Sequence, residues 1–373
     1  MGTAWCRAAG PGPKPERPPV IDHCDGSGES GEGVIATRGQ ARGQDGKVPD
    51  DKVAVGEIGE GEPDEVAARH GLRLHSLDPL LPPATPLAAS GSARWLSAGS
   101  PTSRGLALAT RRHLTADDPQ VMWGPADRHE LRVQLAGGRL VSLLDSLLGS
   151  WALQVTADAS SSAADSGATL DWPCRDTEPV PALFHHGLVP VMILAARPGG
   201  SGAPGGLSPD ARLRRATPAD IDAAASLRLS ALRYDLQFGL SPERPAAARY
   251  ARAAAELDLA AEDPWTWLAF DGGAALGMVS VQPPQRARWV ASMVRPGLSV
   301  GYVGVLSVVP AARGAGVGRA LMAKAHAELD GHGVDVTLLH HRLLNPRSTP
   351  FWSSHGYRPL WATWWAQPAS RLR

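Results

Sequence analysis

Lysine is almost missing from this 373-residue chain: it stands only at positions 14, 47, 52 and 324, so arginine carries nearly all the positive charge. Neither sign is in excess, with 37 Lys and Arg against 37 Asp and Glu, and bulk charge gives no support for a nucleic acid partner. Cysteine is scarce as well. Cys6, Cys24 and Cys174 are too few and too scattered for a disulfide framework or a paired-cysteine metal site. A reducing cytoplasm is therefore the simplest compartment, and no metal is expected. Long apolar runs are also lacking. No window approaches the roughly 18 residues of a membrane span, and the start "MGTAWCRAAGPGPKPERPP" has no apolar core for export. A soluble protein with no membrane partner is expected.

Glycine and proline are plentiful, at 41 and 33 residues, too many to be spread evenly through packed elements. Residues 1–68 hold much of that excess in stretches such as "CDGSGESGEG", with almost no periodic apolar pattern, so they read as a disordered tail. Residues 69–197 read as a first domain. "RGLALATRRHL" and "HELRVQL" alternate like strands, "LVSLLDSLLGSWALQV" has helical spacing, and "TLDWP" and "LVPVMILAAR" are further strands. "RPGGSGAPGGLSPDA" has linker composition, which places a boundary over 198–211. Residues 212–373 then give the order β-α-α-β-β-β-α-β-α-β, with a Thr-x-x-Asp cap near Pro218, an Asp-Gly-Gly hairpin turn and a helix over 313–331. The class is mixed α/β.

The stretch "VLSVVPAARGAGVGRALMAKAHAELD", 305–330, carries the chemistry. An apolar strand ends at Pro310 and glycines 314, 316 and 318 open a helix whose Val317, Leu321, Met322, Ala325 and Leu329 face one way. A dinucleotide loop needs a third glycine where Arg319 stands, and a triphosphate loop needs Lys followed by Ser or Thr. Neither fits. A helix N-terminus with glycines does suit a diphosphate, because its unpaired N–H groups converge on the anion with no side chain in the way. Downstream, "NPRSTPFWSSHGYRPL" sets Asn345 before an aromatic pair, Phe351 and Trp352, and then Gly356 and Tyr357.

Together these two segments resemble the acyl-CoA signatures of the GCN5-related N-acetyltransferase (GNAT) superfamily, whose loop runs Gln or Arg, two residues, Gly, one residue, then Gly or Ala. Arg313, Gly316 and Gly318 fill those places, over a resemblance that covers about 212–367. The resemblance implies the GNAT fold and acetyl-CoA as co-substrate, held by Arg313, Gly314, Ala315, Gly316, Val317, Gly318 and Arg319, by Asn345, and by strand N–H groups near Leu306 and Val308. It implies direct attack by the amine of a small-molecule or other acceptor, without an acyl-enzyme. No nucleophilic cysteine is needed, and Cys174 reads as an inert thiol.

One departure stands out. Many members place Tyr second in the aromatic pair as the acid for the leaving thiolate, and this chain has Trp352 there. Tyr302, His340 and His341 are the remaining catalytic candidates; neighbours on a strand point to opposite faces, so the two histidines cannot share a pocket or chelate one metal. Tyr234, Asp235, Phe238 and Glu243 could form a pocket for a cationic amine or simply a packed connection.

Finally, residues 176–197 align with 345–366, setting His186-Gly187 on His355-Gly356 and Pro190 on Pro359. The first domain thus looks like a degenerate copy of the second, as in mycothiol synthase of the same superfamily. Its helix opens with "AGGRLV", without the loop's spacing. A non-catalytic acyl-CoA-binding or regulatory protein is the alternative function, and the oligomeric state is not legible.

Overall fold

The computed structural model describes residues 58–201, 212–239 and 241–373. Residues 1–57 of the tail expected over 1–68, and the linker core at 202–211, lie outside the described residues. The first half holds α1 (Glu62–Leu77), β1 (Arg94–Ser100), β2 (Ser103–His113), β3 (Asp127–Ala136), α2 (Leu140–Thr156), β4 (Ser166–Pro173), α3 (Val180–His185) and β5 (Val189–Pro198). The second holds β6 (Arg212–Arg215), α4 (Ile221–Leu236), α5 (Ala247–Leu259), β7 (Thr266–Asp271), β8 (Ala274–Gln282), β9 (Val300–Val308), α6 (Val317–Gly331), β10 (Val336–Arg342), α7 (Ser348–Ser354) and β11 (Arg358–Ala366). That order matches the sequence reading of the second half.

Two boundaries differ from it. Helix α1 begins at Glu62, inside the stretch expected to be tail, because proline and three acidic residues in its first turn suit a helix start and Val66, Ala67, His70 and Leu74 supply a buried face. Helix α6 begins at Val317 rather than 313, since Gly314 and Gly316 take left-handed backbone angles of 83° and 84° that a helix cannot contain.

The expected boundary near 198–211 separates the halves in sequence but not in space. All eleven strands form one sheet, in the order β1-β2-β3-β4-β11-β5-β10-β9-β8-β7-β6. The last strand of each half has crossed over: β11 pairs with β4 of the first half, β5 pairs with β10 of the second, and β5 and β11 pair with each other at the centre. The register is common to both crossings. Trp361 faces Pro173 and Ala366 faces Ala168 on one side; Met192 faces Arg342 and Arg197 faces Thr337 on the other. A shift of 169 residues, that from His186 to His355, converts one ladder into the other. The same shift exchanges Leu360 and Val191, the two residues passed over where the central ladder changes register.

Helices α2 and α6 cover one face, over a cluster that includes Trp151, Leu321, Met322, Val303 and Leu339. Helices α1, α4 and α5 cover the other, where Leu74, Tyr302 and Leu338 pack in one cluster and Leu227, Leu268 and Met278 in a second. Ion pairs tie the halves together. Arg197, fully buried, grips Asp330 through two 3.0 Å hydrogen bonds, Arg358 grips Asp78, and Arg244 grips Asp165.

Candidate active site

The eight residues 309–316 join β9 to α6. Gly316 occupies the N-cap position, and no side chain caps the helix. The first backbone bond of α6 is that from the Ala320 N–H to the Gly316 carbonyl, so the N–H groups of Val317, Gly318 and Arg319 precede it and point out of the helix end. Around this turn, Arg313 and Arg347 both lie over the Tyr234 ring, 4.9 and 5.6 Å from its centre, and neither has a carboxylate partner among the described residues. A groove of about 370 Å³ runs between α4 and the turn, lined by Tyr234, Arg233, Gln237, Pro310 and Arg313 among others. It is cationic, as a polyphosphate requires.

Beside the loop the sheet opens. Strands β9 and β10 run parallel and pair only from Val300–Val336 to Val303–Leu339, after which they part. At that point β9 carries a bulge: Val281 faces Val303 and Ser280 faces Val305, leaving Gly304 as the extra residue. Beyond the bulge, the Val309 N–H donates to Leu276 of the β8 side. Antiparallel ladders alternate, so the N–H groups of Leu306 and Val308 turn to the open edge. The Val308 carbonyl faces that way too, accepting from Arg313 Nε at 3.1 Å.

The four candidate catalytic side chains divide between the faces of the sheet. Tyr302 and His340 share the α4 face, the Tyr302 hydroxyl 3.0 Å from His340 Nδ1. Burial pushes the Tyr302 pKa up and brings His340 down to about 4, so at neutral pH the pair is an intact phenol against a neutral imidazole. Trp289 packs edge-on to Tyr302, centres 4.8 Å apart, and is 57% exposed at the mouth of this cluster. Sequence reasoning missed it; a tryptophan in the polar segment between β8 and β9 was the one available signal. His341 points to the opposite face, buried, as strand alternation requires. Trp352 also lies on the α6 side, edge-on to Phe351 and Tyr357 at 5.0 and 5.5 Å. The structure therefore does not bring Trp352 or His341 together with Tyr302 and His340.

The acidic residues of the expected amine pocket are already engaged. Glu243 pairs with Arg233, and Asp235, whose pKa burial raises, accepts from Asn345 Nδ2 at 2.8 Å. Phe238 stacks edge-on against Tyr234. Asn345 also accepts the Arg347 N–H at 3.0 Å, so its side chain fastens the β10–α7 turn to α4. Cys174 is held protonated, burial raising its pKa to about 11.

The first half repeats the layout without the opening. Strands β3 and β4 also run parallel and part after Glu130 and Thr169, but β3 stays in unbroken register with β2. Helix α1 fills the gap. The Leu135 N–H donates to buried His70 Nδ1 at 3.2 Å, and Arg73 holds Asp176, the counterpart of Asn345, by two bonds. Only the three residues 137–139 precede α2. A Cβ at Gly137 would meet the Thr102 carbonyl at 2.3 Å, so the backbone there is packed against the β1–β2 turn.

Residues 230–357 match the family model described as Acetyltransferase (GNAT) family. A GCN5-related N-acetyltransferase from Sphaerobacter thermophilus is similar in structure, with TM-score 0.52 and 14% identity over 86% of this chain and 97% of that one. A tandem GNAT protein from the clavulanic acid biosynthesis pathway gives TM-score 0.40 at 15% identity over 82% and 95%. A GCN5-related N-acetyltransferase from Ralstonia eutropha gives TM-score 0.32 at 23% identity over 40% and 93%. At these identities the likeness concerns the fold. No curated protein matches the sequence. No helix among the described residues is long and apolar enough to cross a membrane.

Proposed function

We propose, from the match of residues 230–357 to the GNAT acetyltransferase family model, that the second half transfers the acetyl group of acetyl-CoA to an amine. The observation that carries the reading is the coincidence, in this half alone, of an uncapped glycine turn, two arginines free of carboxylates and an open strand edge at a bulge. Arg313, Arg347 and the first N–H groups of α6 would hold the diphosphate, and the edge of β9 would run along the pantetheine arm. Acetyl-CoA supplies a thioester whose carbonyl carbon takes the amine nitrogen as the C–S bond breaks. The N–H groups of Leu306 and Val308 would donate to the carbonyl oxygen as it gains charge, and fixed donors on a rigid strand need no reorganisation to do so. Holding both reactants in one cleft supplies the remainder.

The departing thiolate needs a proton, and Trp352 cannot give one. We assign that role to Tyr302, which burial keeps protonated beside the opening, with neutral His340 positioning its hydroxyl. Trp289 would border the acceptor's approach on the same face. Tyr302→Phe should lower kcat at least about tenfold while leaving acetyl-CoA affinity unchanged, within the usual range for a lost general acid. An unchanged kcat would remove Tyr302 from the mechanism.

The direct test is calorimetric titration of acetyl-CoA into the full chain, followed by thiol release with a panel of amines. Binding and turnover are expected, and Gly316→Asp should abolish both. Trp352 favours a second reading, an acyl-CoA-binding regulator; saturable binding with no thiol release for any amine would establish it instead.

A further inference from the structure

Away from the opening, among the described residues, Asp145, His185 and His186 bring three ligand atoms within 4.8 Å of one another. Asp145 comes from α2, and the histidines from the end of α3. Asp145 Oδ1 lies 2.8 Å from His185 Nδ1 and 3.1 Å from His186 Nε2. The far nitrogen of His186, Nδ1, faces the backbone carbonyl of Arg373, and the Arg373 N–H donates back to the His186 carbonyl at 3.3 Å.

A carbonyl only accepts, so His186 Nδ1 must carry its proton there. That leaves Nε2 as the nitrogen turned to Asp145 Oδ1, 3.1 Å away. His185 turns a third donor atom on the same oxygen. An imidazole that gives its other N–H to a backbone carbonyl is the arrangement that orients a metal ligand, and two imidazole nitrogens with one carboxylate oxygen is a zinc-type donor set.

We propose that Asp145, His185 and His186 form a surface site for a divalent transition-metal ion of the zinc class, which clips α2, α3 and residues 371–373 together. The 2.8 and 3.1 Å from Asp145 Oδ1 to the two imidazole nitrogens are close to the roughly 3.3 Å spacing that tetrahedral zinc with bonds near 2.0–2.1 Å imposes, and the exposed side of the cluster leaves the remaining coordination position to water. Among the described residues the second half has no such site. There the 169-residue shift places Ser354 and His355, and His355 Nδ1 bonds to the Phe351 carbonyl at 2.7 Å, while Met322, sixth in α6 as Asp145 is sixth in α2, supplies no carboxylate.

The test is titration of the chelator-treated full chain with Co²⁺ alone, followed by visible absorption. One ion per chain with the strong bands of a four-coordinate site is expected. His185→Ala, at a side chain 74% exposed and so without structural cost, and Asp145→Asn should each weaken binding about tenfold or more. His75→Ala, on exposed α1, should leave it unchanged. Zn²⁺ should raise the Tm of the parent chain and not that of Asp145→Asn. No Co²⁺ spectrum, or one that survives both ligand substitutions, would overturn the proposal.

Discussion

The two halves of this sheet share strand order and register, yet only one keeps a space between its parallel strands. In the second half an eight-residue turn and a bulge at Gly304 hold β9 and β10 apart and leave backbone donors unpaired. In the first half the turn has three residues, the strand is unbroken, and His70 of α1 takes the exposed N–H of Leu135. The difference shows that a cleft in this architecture is kept open by withholding hydrogen-bond partners. Wherever one is supplied, the cleft becomes core.

The largest effect should come from placing one carboxylate in each half. Gly318→Asp sits in the first turn of α6, where a Cβ meets only ordinary contacts and an acidic residue favours the helix, so folding should survive. Opposed to a diphosphate it should weaken acetyl-CoA binding by about a hundredfold or more, like charges in contact costing several kcal/mol. Gly138→Asp, in open space at the matching turn, should change nothing measurable by calorimetry. Equal losses would mean that both halves bind.

Next in size is the join between halves. Asp330→Ala strands the fully buried Arg197 guanidinium and should cost about 3–5 kcal/mol in urea unfolding. Asp117→Ala, which removes the exposed partner of Arg249 across the same join, should cost within about 0.5 kcal/mol. A small loss at Asp330 would mean that the crossed strands do not depend on this pair.

The smallest and most diffuse effect is with pH. Burial lowers His70 and His340 to about 4 and His326 to about 3. Unfolded imidazole titrates near 6.5, so below about pH 6.5 the unfolded chain binds more protons than the folded one. Their contribution is complete above that pH and is lost as pH falls toward 4. The urea midpoint should fall over that window, and more gently in His340→Gln and in His70→Gln. A slope unaltered by either would place the imidazoles elsewhere.

Much of the second half was legible beforehand because its signals are local. Glycine spacing, helix period and strand alternation determined the strand and helix order, the turn at 313–318 and the opposite facing of His340 and His341. The match of His186-Gly187 to His355-Gly356 marked the 169-residue relation that the strand registers follow. Asn345 stood out in the sequence but its partner did not, since Asp235 lies 110 positions away. Trp289 and α1 carried no motif, and the acidic residues near 235–243 read as a pocket because their arginine and asparagine partners were not visible.

The sequence by itself determined the strand and helix order of the second half and the glycine turn that opens α6, since backbone preference and side-chain period act within a few residues. Tertiary structure alone decided that β5 and β11 change places, that α1 closes one cleft while the other stays open, and that Asp145 meets two histidines some 40 positions on. Those outcomes depend on which unpaired edges and charges meet in three dimensions, and chain separation does not encode that distance.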